Sequence, residues 1–172
     1  MRAILSNIVS ERPDGKGGKA ECNTWDNATL FCDAECAPNQ AAFPLTMKTQ
    51  RIAPGEKNNW YLEVSGISAS AKFSTRNPRR LELLEYHGGE QSWQQLDMGQ
   101  ETAFTTISGK IFEFGFTDAI LQMWAAYVYE LAEGRRLKTF AGCVTPDETA
   151  LSHQLFTAAL ESHRRSQVIN LI

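Results

Sequence analysis

The stretch Thr117–Gly134, TDAILQMWAAYVYELAEG, decides the fold class, because the spacing of apolar residues changes there. Ile120, Met123, Trp124, Tyr127, Val128 and Leu131 fall at i, i+3, i+4, i+7, i+8 and i+11, the stripe of a helix with a 3.6-residue period. Gly134 stands where a left-handed residue ends such a helix. The stripe predicts a helix packed on a sheet, with Trp124 as a buried anchor and Gln122, Ala126 and Glu130 on the other faces.

Everything upstream of that change reads as strand and turn. Ala3 to Val9 alternates loosely and runs into Pro13-Asp14-Gly15-Lys16-Gly17-Gly18-Lys19, a polar segment. Its lysines suggest a phosphate cradle, but the P-loop pattern is missing and no helix pattern follows, so a solvated hairpin loop is expected. Further strands are predicted at Ala28 to Cys36, Ala42 to Ile52, Trp60 to Val64 and Ala69 to Ser74. Pro78 breaks the chain after Asn77. Leu81 to Tyr86 and Ser92 to Leu96, joined through Gly88-Gly89, form a hairpin.

Downstream, Thr145-Pro146-Asp147-Glu148 opens a second helix. Thr145 caps, Pro146 suits the first position and Glu148 completes a capping box. Leu151, Leu155, Ala158, Ala159 and Ser162 give that helix a small-residue face, and Gln167 to Ile172 alternates like a short strand. Strands first and helices last make an α+β fold: an open, antiparallel-rich mixed β-sheet with helices packed on one face. The other face is left for water, a partner subunit or another domain, and is free for oligomerisation.

Length and composition set limits on function. The 172 residues suit a single domain, and 42% hydrophobic with 22% charged residues is globular. Seventeen basic against twenty acidic residues leave a net charge of −3, so nothing global favours nucleic acid or an anionic membrane. No window approaches the roughly 18 apolar residues of a membrane span, and the first residues do not read as a signal peptide, so a cytoplasmic protein is expected. Cys22, Cys32, Cys36 and Cys143 form no Cys-x-x-Cys pair, and His87, His153 and His163 do not cluster with them. Free, mostly buried thiols are expected rather than a metal site.

Four stretches carry a resemblance to a known family. Thr49 to Asn58 is similar to an Arg-x-x-x-Gly-x-Lys-Asn turn, and Leu62 to Phe73 to a strand–turn–strand centred on Gly66. Thr139-Phe140-Ala141-Gly142 through Ala159-Leu160-Glu161-Ser162 is similar to a closing loop and helix, and Glu11-Arg12-Pro13 to a further loop. Together these resemble the C-terminal α+β domain of the glucose–fructose oxidoreductase / inositol dehydrogenase / MocA (Gfo/Idh/MocA) family. Ser70 departs from the family, which often has glycine there, and residues 87 to 114 match no substrate-specific pattern.

The resemblance implies a single C-terminal domain over 1–172 and a substrate-binding and oligomerisation role in an NAD(P)-dependent sugar or polyol dehydrogenase. The Gly-x-Gly-x-x-Gly turn of the family's Rossmann half does not occur, nor do its Glu-Lys-Pro lysine and Asp-x-x-x-His helix. NAD or NADP is therefore implied for the full-length parent and no cofactor for this chain, which on its own should be inert. The implied partners are a Rossmann domain in cis or trans, a sugar-like small molecule and further copies in a dimer or tetramer. A free-standing, non-catalytic scaffold or binding module of the same descent is the alternative.

Five residues are candidates for substrate contact. Arg51, Lys57 and Asn58 flank a Pro-Gly turn that the resemblance brings near the active site, against the plainer reading of a solvated turn. Arg76 belongs to a basic run with Asn77, Arg79 and Arg80, which could contact an acidic sugar or a cofactor phosphate, against the plainer reading of a solvated loop. Trp25, before Asp26, could stack on a sugar face, whereas Trp60, Trp93 and Trp124 read as core or interface anchors. His153 reads as a surface or packed histidine.

Overall fold

The computed structural model describes residues 1–35, 40–99, 101–109, 111, 112, 114–138 and 143–171. Cys36, the Thr139–Gly142 stretch and Ile172 lie outside them. In chain order the elements are β1 (Arg2–Ser6), β2 (Glu11–Pro13), β3 (Lys19–Glu21), β4 (Asn27–Ala34), β5 (Phe43–Gln50) and β6 (Tyr61–Ser65). There follow β7 (Ala69–Ser74), β8 (Arg80–Glu85), β9 (Gln94–Asp97), α1 (Phe116–Glu133) and α2 (Pro146–Arg165). The fold is α+β with open antiparallel sheets. The strands form three ladders, ordered β1-β4-β5, β2-β3 and β6-β7-β8-β9.

The chain divides into two compact units, Met1–Gly55 with Thr145–Ile172, and Glu56–Val144. In the first, β4 pairs with β1 from Arg2↔Phe31 to Ser6↔Asn27 and with β5 from Asn27↔Gln50 to Ala34↔Phe43. The period of two sends Ala3 and Leu30 inward and leaves Ile4 and Phe31 exposed. α2 covers the inner face, with Ala159 against Ala3 and Leu30 and with Leu155 and Met47 around them. The small-residue face expected for α2 holds at Ala158, Ala159 and Ser162, while Leu151 is exposed.

Ser162 explains the close approach of helix and strand. Its Oγ accepts the Ala3 N–H at 2.9 Å and donates to the Gln167 carbonyl at 2.6 Å, so β1 spends a free N–H on the helix. The capping box of α2 is present: Thr145 Oγ1 accepts the Glu148 N–H at 3.1 Å, and Glu148 Oε2 accepts the Thr145 N–H at 2.8 Å. The tail is not the expected strand over its described residues. Only Ile169 pairs, exchanging two hydrogen bonds with Met1. Residues 14–18 close the β2–β3 hairpin, as the composition predicted.

In the second unit the four-stranded sheet is amphipathic by register. One row runs Leu62, Phe73, Leu81, Leu96 across all four strands, and the adjacent row on the opposite face runs Glu63, Lys72, Glu82, Gln95. Leu62 and Val64 on the edge strand β6 are 60% and 55% exposed while Phe73 and Leu81 are half-buried, so the apolar face stands open at that edge.

α1 corrects the strongest expectation drawn from the sequence. The helix is where the period placed it, and Gly134 ends it at φ 63°. Its apolar stripe, however, faces solvent: Trp124 is 57% exposed and Leu131 72%. The buried residues are Asp118 and Ala126, on the opposite face. Residues 102–109 occupy that face. Gln122 Oε1 accepts the Phe104 N–H at 3.0 Å and its Nε2 donates to the Phe104 carbonyl at 2.8 Å. Asp118 Oδ1 accepts the Ile107 and Ser108 N–H groups at 2.8 and 3.2 Å. Backbone donors in a connecting segment need side-chain acceptors, and that need turned the polar face inward. Trp60 and Trp93 are exposed as well, not core anchors.

Candidate functional site

In the first unit the candidate Trp25 precedes a buried aspartate in the chain, and the candidate Arg51 meets the same residue through the backbone. Asp26 is 3% exposed. Its Oδ2 accepts the N–H groups of Ile8 and Val9 at 2.9 and 2.8 Å, and its Oδ1 pairs with the Arg12 guanidinium. The backbone joins in: Asp26 N–H donates to Ser6 and its carbonyl accepts the Arg51 N–H, both at 2.8 Å. One residue, by side chain and backbone together, thereby ties the end of β1, the β2 hairpin, the entrance of β4 and the exit of β5.

The Val9 N–H above all, then that of Ile8 and the Arg12 cation, hold the Asp26 carboxyl below its ordinary value. Arg12 also reaches Cys22 Sγ at 3.3 Å. The Cys22 thiol is lowered chiefly by the Thr24 hydroxyl, then by the Thr24 backbone and Arg12. Cys22, Cys32 and Cys143 are free but half-buried, more accessible than expected, and among the described residues no group of metal-ligating side chains forms.

Trp25 lies edge-on to His163 with ring centroids 4.7 Å apart, and His163 Nδ1 accepts the Leu5 N–H at 3.2 Å. Half of the indole stays exposed. His153 is exposed on α2, 6.1 Å from Phe156.

Lys57, Asn58 and Arg76 belong to the second unit. The turn after Pro54 needs left-handed backbone at Gly55 (φ 92°) and Asn58 (φ 39°), and asparagine is among the few side chains that tolerate it. Lys57 and Asn58 are exposed there. Glu56 takes an amide N–H of Asn59 and pairs with Arg76 at 3.0 Å. The two turns are laced by Thr75 N–H to the Trp60 carbonyl at 3.0 Å and Trp60 N–H to Thr75 Oγ1 at 2.8 Å. The structure thus brings Lys57, Asn58 and Arg76 into one neighbourhood, and Trp25 and Arg51 into another.

A cleft of about 500 Å³ opens beside Arg76. The basic run from Arg76 to Arg80 forms one wall, and Gln95, Leu96 and Asp97 of β9 the other. Arg79 pairs with Asp97 at 3.4 Å. Sequence reading found the arginines but missed Asp97 and Glu56. The β8–β9 register, Arg80↔Asp97, was the signal that could have found the first. Glu56 meets Arg76 through a turn whose path no local pattern announces.

The surroundings of these candidates supply charge and hydrogen bonds: guanidinium groups for anionic oxygens, amides for hydroxyls. That is binding chemistry.

No protein-family model matches the sequence, and no curated protein matches it. The fold does recur in solved structures. Levoglucosan dehydrogenase in complex with NADH and L-sorbose superposes with a TM-score of 0.73 at 18% identity, over 95% of this chain and 42% of that one. An NAD binding oxidoreductase from Klebsiella pneumoniae gives 0.73 at 16% identity, over 99% and 44%. An oxidoreductase from Sinorhizobium meliloti gives 0.76 at 14% identity, over 98% and 45%. These neighbours are oxidoreductases of the Gfo/Idh/MocA type, and the fold which the resemblance implied is the fold they share with this chain. The chain spans less than half the length of each.

Proposed function

We propose that this chain is the substrate-binding and assembly part of an NAD(P)-dependent sugar or polyol dehydrogenase of the Gfo/Idh/MocA family. The observation that carries the reading is the match of nearly the whole chain to 42–45% of dehydrogenase chains, one of them holding NADH and L-sorbose. In this reading a nucleotide-binding half, in cis or in trans, holds NAD or NADP. This chain contributes Arg51, Lys57, Asn58, Arg76 and Trp25 toward the sugar, and alone it turns over nothing. Hydride transfer needs both a positioned nicotinamide and a proton acceptor.

Surface supports the reading. The apolar row Leu62, Phe73, Leu81, Leu96 is the surface we assign to a dimer or tetramer contact. The described thiols are all unpaired, in keeping with a cytoplasmic protein. Among the described residues no helix is long and apolar enough to cross a membrane.

The experiment is calorimetric titration of the chain with NADH, beside sugar oxidation assays after mixing or fusing it with a nucleotide-binding half. Activity should appear only in the combined protein. Turnover, or micromolar NADH binding, by the chain alone sinks the reading. For assembly, Leu62→Glu should convert a sedimenting oligomer to monomer; a wild-type chain that is monomeric at tens of micromolar removes that part.

A further inference from the structure

We propose that the cleft between the turns at 75–80 and strand β9 binds a phosphate monoester, gripped by Arg76, Arg79 and Arg80. The chain as a whole is acidic, at −3, yet among the described residues this lining carries three guanidinium groups and one carboxylate, that of Asp97. The scaffold beneath them is fixed by its backbone. Asn77 N–H donates to the Ser74 carbonyl at 3.0 Å, Arg80 N–H to the Asn77 carbonyl at 2.9 Å, and Met98 N–H to the Arg79 carbonyl at 2.6 Å. Pro78 between them removes further freedom. Two consecutive turns therefore crowd three cations onto one wall at little ordering cost.

Among the described residues, the carboxylates that pair with Arg76 and Arg79 are weak competitors. Asp97 stands 3.4 Å from Arg79 and is 78% exposed, and Glu56 beside Arg76 is 49% exposed. Exposed pairs of this kind contribute little, so an incoming dianion can displace Asp97. Guanidinium forks match the oxygens of a phosphate, which offers more acceptor edges than a carboxylate and nearly twice its charge. The volume of about 500 Å³ suits a body of sugar size. The exposed edge of Leu96 offers an apolar patch to a ring, and the Gln95 amide a partner for hydroxyls. The site takes the phosphate of a sugar phosphate or free phosphate. It stands whether or not the oxidoreductase reading does, since binding is read on the chain without turnover.

The full 172-residue chain is titrated calorimetrically at low salt with glucose 6-phosphate, inorganic phosphate and gluconate, with thermal unfolding of every variant as a check on folding. Glucose 6-phosphate should saturate below about 1 mM, with gluconate weaker by roughly tenfold or more. Inorganic phosphate tenfold weaker identifies a sugar phosphate site; equal affinity identifies a site for free phosphate. Arg79→Gln and Arg80→Gln should each weaken binding roughly tenfold, and Arg79→Lys nearly as much, because the fork is lost while the charge stays. Asp97→Asn should tighten binding severalfold, and Lys16→Gln, on the β2–β3 loop, should leave it unchanged. No saturation by about 10 mM phosphate monoester, gluconate binding as tightly, or Asp97→Asn weakening the ligand overturns the proposal.

Discussion

The two helices are nearly equal in length, 18 and 20 residues, and opposite in what they bury. α2 is polar over most of its surface, yet Ala158, Ala159 and Ser162 are sealed against β1 and its neighbours. α1 is apolar over most of its circumference, yet leaves Trp124, Val128 and Leu131 in solvent. The difference lies in what each unit offers its helix. β1 presents Ala3 and a backbone N–H that Ser162 takes, so strand and helix meet too closely for large side chains. The connection at 102–109 presents backbone donors, which Asp118 and Gln122 satisfy, and these polar contacts leave the larger apolar stripe outside. An apolar stripe says that a surface is built to be covered; it does not say that the same chain covers it.

The first unit should therefore be the more easily broken, and Asp26 is where to break it. Asp26→Ala strands the N–H groups of Ile8 and Val9 and leaves the Arg12 cation facing a buried site. We expect the melting midpoint of the chain to fall by roughly 10 °C, with Asp26→Asn intermediate. The pH dependence has a definite sign. A carboxyl whose value is depressed in the fold stabilises above its unfolded value, near 3.9, and loses that contribution as pH falls through the folded one. Wild type should weaken below about pH 4 more steeply than Asp26→Asn. Parallel acid melting curves for the two would remove Asp26 from this role. Asp118 in the second unit is lowered by Ser108 first and then by the Gly115 and Ile107 N–H groups, and no cation among the described residues adds to this, so its contribution should resist salt better.

Much of the fold was legible for physical reasons that operate locally. The capping box at Thr145, the glycine after Glu133 and the strand runs that became β4 and β5 act within a few residues, and these elements form where they were expected. The site was legible in parts. Composition found the arginines of the 76–80 run, but the carboxylates that meet them arrive through a turn and through strand register. The pairing of Arg12 with Asp26 spans a hairpin and has no periodic signature. Trp124 was misread because periodicity locates a stripe without naming its cover.

A smaller effect is expected from crowding the seam that α2 makes with its sheet. Ala159 touches Ala3 and Leu30, and all three are buried. Ala159→Leu adds three carbons where none fits, at a cost of about 1–3 kcal/mol in chemical denaturation. A neutral outcome would mean that the helix can ride outward, and that the Ser162 to Ala3 hydrogen bond does not fix its distance. Ser162→Ala, measured beside it, separates the two explanations: it opens no crowding and removes only the hydroxyl.

The smallest effect should come from the residue with the largest side chain. Trp124 is 57% exposed and meets Tyr127 edge-on at 6.0 Å, so truncation gives up one aromatic contact and little buried area. Trp124→Ala should change the stability of this chain by under about 1 kcal/mol, where burial against a sheet would have made it about 3–5. The same substitution should matter where α1 is covered. If a nucleotide-binding half or a second copy closes over the stripe, the loss moves from folding to association. It should then appear as a weaker complex or a lower melting point of the combined protein, with the chain alone unaffected. Denaturation of the chain by itself, set beside that of the assembled protein, reads both quantities. A Trp124→Ala chain that unfolds in isolation would show that α1 finds its cover within Met1–Ile172, and the contrast between the two helices would fail at its central residue.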